Sequence, residues 1–223
     1  PASINEADMD NHKFVQPLYQ KMKDWGGPDI LIGSSTHKYF KEKQSYASRK
    51  LKNGGWYESY NSALLMSLNK PIQVYHKSQL VLGVERLPFP MIFEGMAIDL
   101  GGTTGTLGTE EKPFCLKSKG LNITPCICYE SVYGGYVSEF SRLESAFIAI
   151  ITNDGWWRDT PGYKQHLSFA RLRAIENRKY VARSANTGIS AIIDSKGDVL
   201  EQTEWWTPAA IRATILLSTE ETF

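Results

Sequence analysis

An α/β fold is predicted by three observations. Short β-branched apolar runs alternate along the chain with helical patterns, as strands and covering helices do. The most helical stretch, 161–182, carries Leu167, Ala170, Ala174 and Val181 at spacings that line one face of a helix packed on a sheet. And 223 residues with 42% hydrophobic content are enough for one substantial core, with no compositional sign of disorder. One domain over residues 1–223 is the expectation.

Taken in order, Phe14, Leu18 and Met22 recur every four residues within 6–25 and stop at Gly26-Gly27-Pro28, a helix with a breaker behind it. Residues 29–34 read as a short strand. Residues 60–67 and 72–77 form a hairpin around Asn69-Lys70-Pro71. Between these, 36–59 carries Lys38, Lys41, Lys43, Arg49, Lys50 and Lys52 against Glu42 and Glu58. It reads as a solvated insertion loop, the alternative being attraction to anionic lipid headgroups. Pro88 and Pro90 bar 84–93 from being a central strand or ordinary helix, leaving a loop over the core or a lid that meets acyl chains.

Residues 96–100, 102–107 and 113–117 read as short strands, and Gly101 to Gly105 as a turn, since no Lys-Ser/Thr ending marks a phosphate-binding loop. A strand at 122–128, a short helix at 138–145 and a strand at 147–152 follow. Past the long helix come a hairpin, 190–194 and 198–203 around Ser195-Lys196-Gly197, and a last strand at 209–217.

A formal net charge of +1 gives no global attraction for nucleic acid, and the aromatics form no basic stripe. Three Cys and four His show no ligand spacing, so neither a disulfide framework nor a metal is expected, and no organic cofactor is implied. No apolar run approaches the roughly 18–20 residues that cross a bilayer, and no signal peptide precedes Pro1, so the chain reads as soluble.

The chemistry centres on Thr124-Pro125-Cys126-Ile127-Cys128-Tyr129-Glu130-Ser131. Strand alternation would put Cys126, Cys128 and Glu130 on one face and set a thiol beside a carboxylate. A thiol on an apolar strand is more often packing than catalysis, and it becomes a useful nucleophile only where a cation or base holds it as thiolate. Lys77, in Tyr75-His76-Lys77, is the best candidate cation, with Glu85 eight residues on.

Read with Thr152-Asn153-Asp154-Gly155-Trp156-Trp157, His166 before Arg173-Ala174-Ile175-Glu176, and Ala185-Asn186-Thr187-Gly188-Ile189-Ser190, these segments form a constellation. It resembles the nitrilase superfamily and, more narrowly, the apolipoprotein N-acyltransferases. That resemblance implies a four-layer αββα sandwich and a Glu, Lys and Cys catalytic set. Cys128 would be the nucleophile and Lys77 the stabiliser of thiolate and oxyanion, with the Tyr129 backbone N–H as a second oxyanion donor. Glu85 would orient Lys77 rather than act as base, and Glu130 would support the site.

Trp156, Trp157 and Phe89 would touch substrate or membrane, though either Trp can equally form a buried aromatic floor. His166 reads as structural at a helix start, with an acid or base role as the alternative, and Arg173, Glu176 and Arg178 as an ion-paired flank. The implied acyl donor is a phospholipid and the acceptor the N-terminal amine of a diacylated lipoprotein, transfer passing through a Cys thioester. The implied setting is the periplasmic side of a bacterial inner membrane, reached through membrane helices outside this chain.

One feature departs from the resemblance. The general-base Glu, in a Pro-Glu-Thr-Ala type segment, has no match, so an N-terminally truncated fragment with negligible activity of its own is expected. Glu6 reads as part of a capping box with Ser3 rather than as a replacement base. Two rivals stand beside the transferase: a soluble amidase of the same superfamily, and a non-catalytic lipid- or protein-binding fragment.

Overall fold

The computed structural model describes residues 3–86 and 106–220. The chain divides into two compact units, Pro1–Glu111 and Lys112–Phe223, and each holds its own sheet. The α/β class expected from the sequence is present. Phe89, the strand expected at 96–100 and the turn at Gly101 to Gly105 lie outside the described residues, as does 87–93 of the Pro-rich stretch; 106–110 contains no strand.

The first unit is built on two long antiparallel strands, β2 (Ile30–Phe40) and β4 (Trp56–Met66), in unbroken register from Ile30↔Met66 to Phe40↔Trp56. β1 (Ile4–Asn5) runs parallel to β2, while β3 (Arg49–Lys50) and β5 (Gln73–His76) pair with opposite ends of β4. The hairpin around Asn69 is as read from the sequence. The Lys-rich stretch is not simply a loop, because β2 and β4 both extend into it and set Lys38 opposite Glu58. Its strand character was hidden because β4 buries polar Glu58, Ser59 and Ser62 along with Tyr60, Leu64 and Met66, so no in-out alternation shows.

The first helix is shorter than expected. Glu6–Asp8 form a 3-10 turn, with the Asn5 side chain accepting from the Ala7 N–H, and α1 spans Gln16–Asp24. Pro17 fits in the first helical turn but would clash with a helical turn before it, so no continuous helix runs from residue 6. Val15 and Met22 pack with Ile4, Leu64 and Met66.

The second unit carries β6 (Leu116–Ser118), β7 (Leu121–Ile127), β8 (Ser145–Thr152), β9 (Val181–Ala185), β10 (Ala191–Ile193) and β11 (Val199–Gln202). Their order is β11-β10-β9-β8-β7-β6, with the central β7, β8 and β9 parallel and the outer pairs antiparallel. Parallel neighbours need crossovers. These are α2 (Gly134–Glu139) with a 3-10 turn at Ser141–Leu143, and α3 (Gly162–Asn177). Pro125 is tolerated within β7 because β6 pairs only as far as Ile123, leaving that edge unpaired among the described residues.

The long helix lays Leu167, Ala170 and Ala174 on Ile148, Ile150 and Val181. Val181, expected on the helix, instead opens β9. Arg178 adopts a left-handed φ of 49° and the Lys179 N–H bonds back to the Ala174 carbonyl, which closes the helix. The short helix begins at Gly134, earlier than expected. No strand forms at 209–217. That segment leads to Ser218, whose N–H donates to Ala146 O at 3.2 Å, and the Lys179 ammonium donates to the carbonyls of Ser218 and Glu220 at 2.8 and 3.0 Å.

Ile150 sits fully buried on β8, the strand between β7 and β9. Ile150→Ala is expected to destabilise the chain by about 3 kcal/mol, seen as a lower urea midpoint at unchanged slope. Among the described residues no helix is long and apolar enough to cross a membrane.

Candidate active site

In the second unit the polar groups collect where the parallel strands end, the edge at which open α/β sheets hold ligands. Cys128 directly follows β7, Asp154 lies two residues past β8, and Asn186 follows β9. β7 does not carry Cys128 in the alternating way expected. The strand stops at Ile127, and Cys128 opens a 3-10 turn (Cys128–Val132) with a left-handed φ of 52°. For a residue with a Cβ, this conformation costs on the order of 1–3 kcal/mol and persists only where surrounding contacts impose it. The thiol is partly exposed, whereas Cys126 is 1% exposed in the core.

The turn is held from several sides. Glu130, fully buried, folds back so that its Oε2 accepts from the Ile127 N–H at 2.8 Å, and it does not share a strand face with Cys128. The Ser131 hydroxyl donates to the Cys128 carbonyl at 2.9 Å. Arg173 donates to the carbonyls of Ser131 and Val132, both at 3.1 Å, while its other terminal nitrogen pairs with Glu176. This is the tie between helix and loop expected for Arg173. Tyr129 packs edge-on against Tyr133 and lies near the His166 ring.

Behind the turn is a buried polar network that the sequence reading did not assemble. Asp154, 0% exposed, accepts from His166 Nδ1 at 2.8 Å, from Thr152 Oγ1 at 2.9 Å and from Arg183 Nη2 at 2.5 Å. His166 Nε2 lies 3.1 Å from the Cys128 carbonyl and 3.0 Å from Ser131 Oγ. Burial alone would raise the Asp154 carboxyl, but the His166 hydrogen bond, the Arg183 charge and the Thr152 hydroxyl bring it below its ordinary value. Gly188 is required beside it, since a Cβ there would overlap the carboxylate. The sequence signal was weak. Asp154 and Arg183 sit at or near the ends of apolar runs, and only the fold shows that they share one pocket.

Trp156 and Trp157 lie on a 3-10 turn after β8, 40% and 36% exposed, with Trp157 packed over Gly162. Neither forms a buried floor.

In the first unit, Lys77 follows β5 and is 1% exposed. Its ammonium donates to both Glu85 oxygens, at 2.9 and 2.7 Å. Glu85 also accepts from Asn61 Nδ2 at 2.6 Å and from the Val81 N–H at 2.9 Å. A lysine gripped this way presents a fixed cation. Glu6 is no helix cap. Its carboxylate, 7% exposed, accepts from Thr36 Oγ1 at 2.6 Å, meets His76 Nε2 at 2.7 Å and pairs with Lys38 at 3.1 Å. Among the described residues no cluster of three or more His, Cys, Asp or Glu is placed to hold a metal.

Comparison with known proteins adds context to this geometry. The carbon-nitrogen hydrolase family model matches residues 32–222. An apolipoprotein N-acyltransferase of Chlorobaculum tepidum is 30% identical over 222 residues, covering 96% of this chain and 42% of the relative. Another, of Aquifex aeolicus, is 35% identical over 150 residues, covering 67% of this chain and 33% of the relative. The chain thus spans less than half the length of these two curated relatives.

Among solved structures, a CN-hydrolase superfamily protein from Xanthomonas campestris has a TM-score of 0.54 at 16% identity, covering 90% of this chain and 66% of that one. An amidase from a Nesterenkonia species, described with acrylamide added at its active-site cysteine, has a TM-score of 0.52 at 15% identity, covering 91% and 66%. These two likenesses show the fold.

Proposed function

Because the chain belongs to the carbon-nitrogen hydrolase family, which it matches over 32–222, we propose that it is the acyl-transferring part of a lipoprotein N-acyltransferase. The observation that carries the reading is Cys128, a partly exposed thiol in a left-handed turn at the carboxyl end of β7. In the proposed cycle the Cys128 sulfur attacks the ester carbonyl of a phospholipid. A carbon–sulfur bond forms, the ester carbon–oxygen bond breaks, and the lysophospholipid alcohol leaves with a proton.

The N-terminal amine of a diacylated lipoprotein then attacks the thioester. An amide forms, the carbon–sulfur bond breaks and the thiol is regenerated. Lys77, held by Glu85, supplies positive charge for the thiolate and the oxyanion, and the Tyr129 N–H is the second oxyanion donor. The proton acceptor is a carboxylate that the family pattern draws from a Glu this sequence does not match. These substrates put the chemistry on the periplasmic side of a bacterial inner membrane, where exposed Trp156 and Trp157 suit a lipid interface.

The experiment uses the intact protein that carries this chain, charges it and then offers it an acceptor. An activated fatty acyl ester should acylate the chain once, at Cys128 by peptide mapping, and Cys128→Ala should abolish that adduct. The charged chain, given a diacylated lipopeptide, should yield triacylated peptide. Release of free fatty acid with no triacylated product would favour the amidase-like reading, and an unmodified Cys128 would end the proposal.

A further inference from the structure

Among the described residues, His166 bridges the buried Asp154–Arg183 pair and the backbone of the nucleophile turn. Asp154 accepts at Nδ1, and its other oxygen is taken by Arg183, which fixes the carboxylate in place. The opposite ring nitrogen, Nε2, lies 3.1 Å from the Cys128 carbonyl, an acceptor only, so a proton on Nε2 is shared with that carbonyl. Ser131 Oγ donates to the same carbonyl and lies against the same ring nitrogen.

The carbonyl of Cys128 and the N–H of Tyr129 belong to one planar trans peptide and point in opposite directions. Whatever holds the carbonyl therefore aims the N–H. A left-handed residue with a Cβ does not keep that orientation by local preference, and here two buried donors impose it.

We propose that His166, locked by Asp154 and Arg183, is a positioning residue whose grip on the Cys128 carbonyl aims the Tyr129 N–H at the developing oxyanion. The inference rests on Cys128 being the nucleophile. It assigns His166 a part in transition-state geometry and none in proton transfer, because both ring nitrogens are already committed to protein partners.

Two reactions of the same thiol separate this role from a general structural one. Acylation by an activated ester passes through an oxyanion and needs the aimed donor. Alkylation by iodoacetamide is a displacement at carbon and does not. With both rates read at Cys128 by peptide mapping, His166→Ala is expected to slow acylation by about 30- to 100-fold, the scale of an impaired oxyanion donor, while alkylation changes by less than about threefold.

His166→Gln, which returns an N–H donor near the Nε2 position, should recover most of the lost acylation rate. Ser131→Ala, a milder change that keeps His166, should give a selective loss of about fivefold, and it carries the test if His166→Ala fails to fold. Equal losses in both reactions, or acylation unaffected by His166→Ala and Ser131→Ala, would overturn the proposal. An unaltered chain that alkylates at Cys128 but never acylates would overturn this inference together with the nucleophile reading. Acylation of the unaltered chain with unselective variant effects would overturn this inference alone.

Discussion

Lys77→Met is expected to slow acylation of Cys128 by at least about 100-fold and to destabilise the chain by about 3–5 kcal/mol. Both effects come from one buried ammonium. With the cation gone, Glu85 is left as a carboxylate 7% exposed, still held by Asn61 and Val81 but no longer neutralised. A buried charge that loses its partner costs more than the pair contributed. The double variant Lys77→Met with Glu85→Gln removes that orphaned charge, so most of the stability should return in urea titrations. On the proposed roles the acylation rate should not return, since the cation assigned to the oxyanion is still missing. A double variant that regains both would reduce Lys77 to a structural pairing partner.

Asp154→Ala is expected to be comparably destabilising, about 3–5 kcal/mol, because it strands the Arg183 guanidinium in a site whose side chain is 0% exposed. Asp154 also predicts a pH dependence. Its folded-state value lies below its ordinary value of 3.8, so the ionised form stabilises the fold above 3.8, and that contribution disappears as pH falls through the folded value. Glu6 and Glu58 act in the same direction. Burial would raise each, but His76, Thr36 and Lys38 lower Glu6, and the hydroxyls of Ser45, Ser48 and Tyr60 lower Glu58. Urea midpoints should fall as pH drops below about 4.5 and on through the folded values, where the unfolded carboxylates protonate before the folded ones, and less steeply in Asp154→Ala. An identical acid slope in the variant would remove Asp154 from the account.

Local chemistry explains what was legible in the sequence. The β4–β5 and β10–β11 hairpins were marked by Asn69-Lys70-Pro71 and Ser195-Lys196-Gly197, turn residues flanked by apolar runs. The face of α3 was marked by Leu167, Ala170 and Ala174. The Lys77–Glu85 partnership was legible as a spacing, and the thiol at Cys128 through its neighbours.

What failed were inferences that depend on distant partners. Strand alternation cannot report that Cys128 leaves the β region, because its carbonyl is held in part by His166, thirty-eight positions away. Glu6 was misread as a cap because its real partners, Thr36 and His76, lie thirty and seventy positions along the chain. Residues 209–217 have strand composition, yet composition supplies no neighbour to pair with. Arg178 ended α3 through its own left-handed turn, which residue propensity does not mark.

Lys179 shows how a segment without helix or strand still belongs to a fold. The ammonium is 1% exposed as a side chain within its unit, and two carbonyls, from Ser218 and Glu220, are its acceptors. That anchor, together with the Ser218 N–H bonded to the Ala146 carbonyl, holds the end of residues 207–220 against the sheet. The tail should therefore detach as one piece, with amide hydrogen exchange at Ser218 quickening together with that of its neighbours once Lys179 is shortened, while the central strands keep their protection.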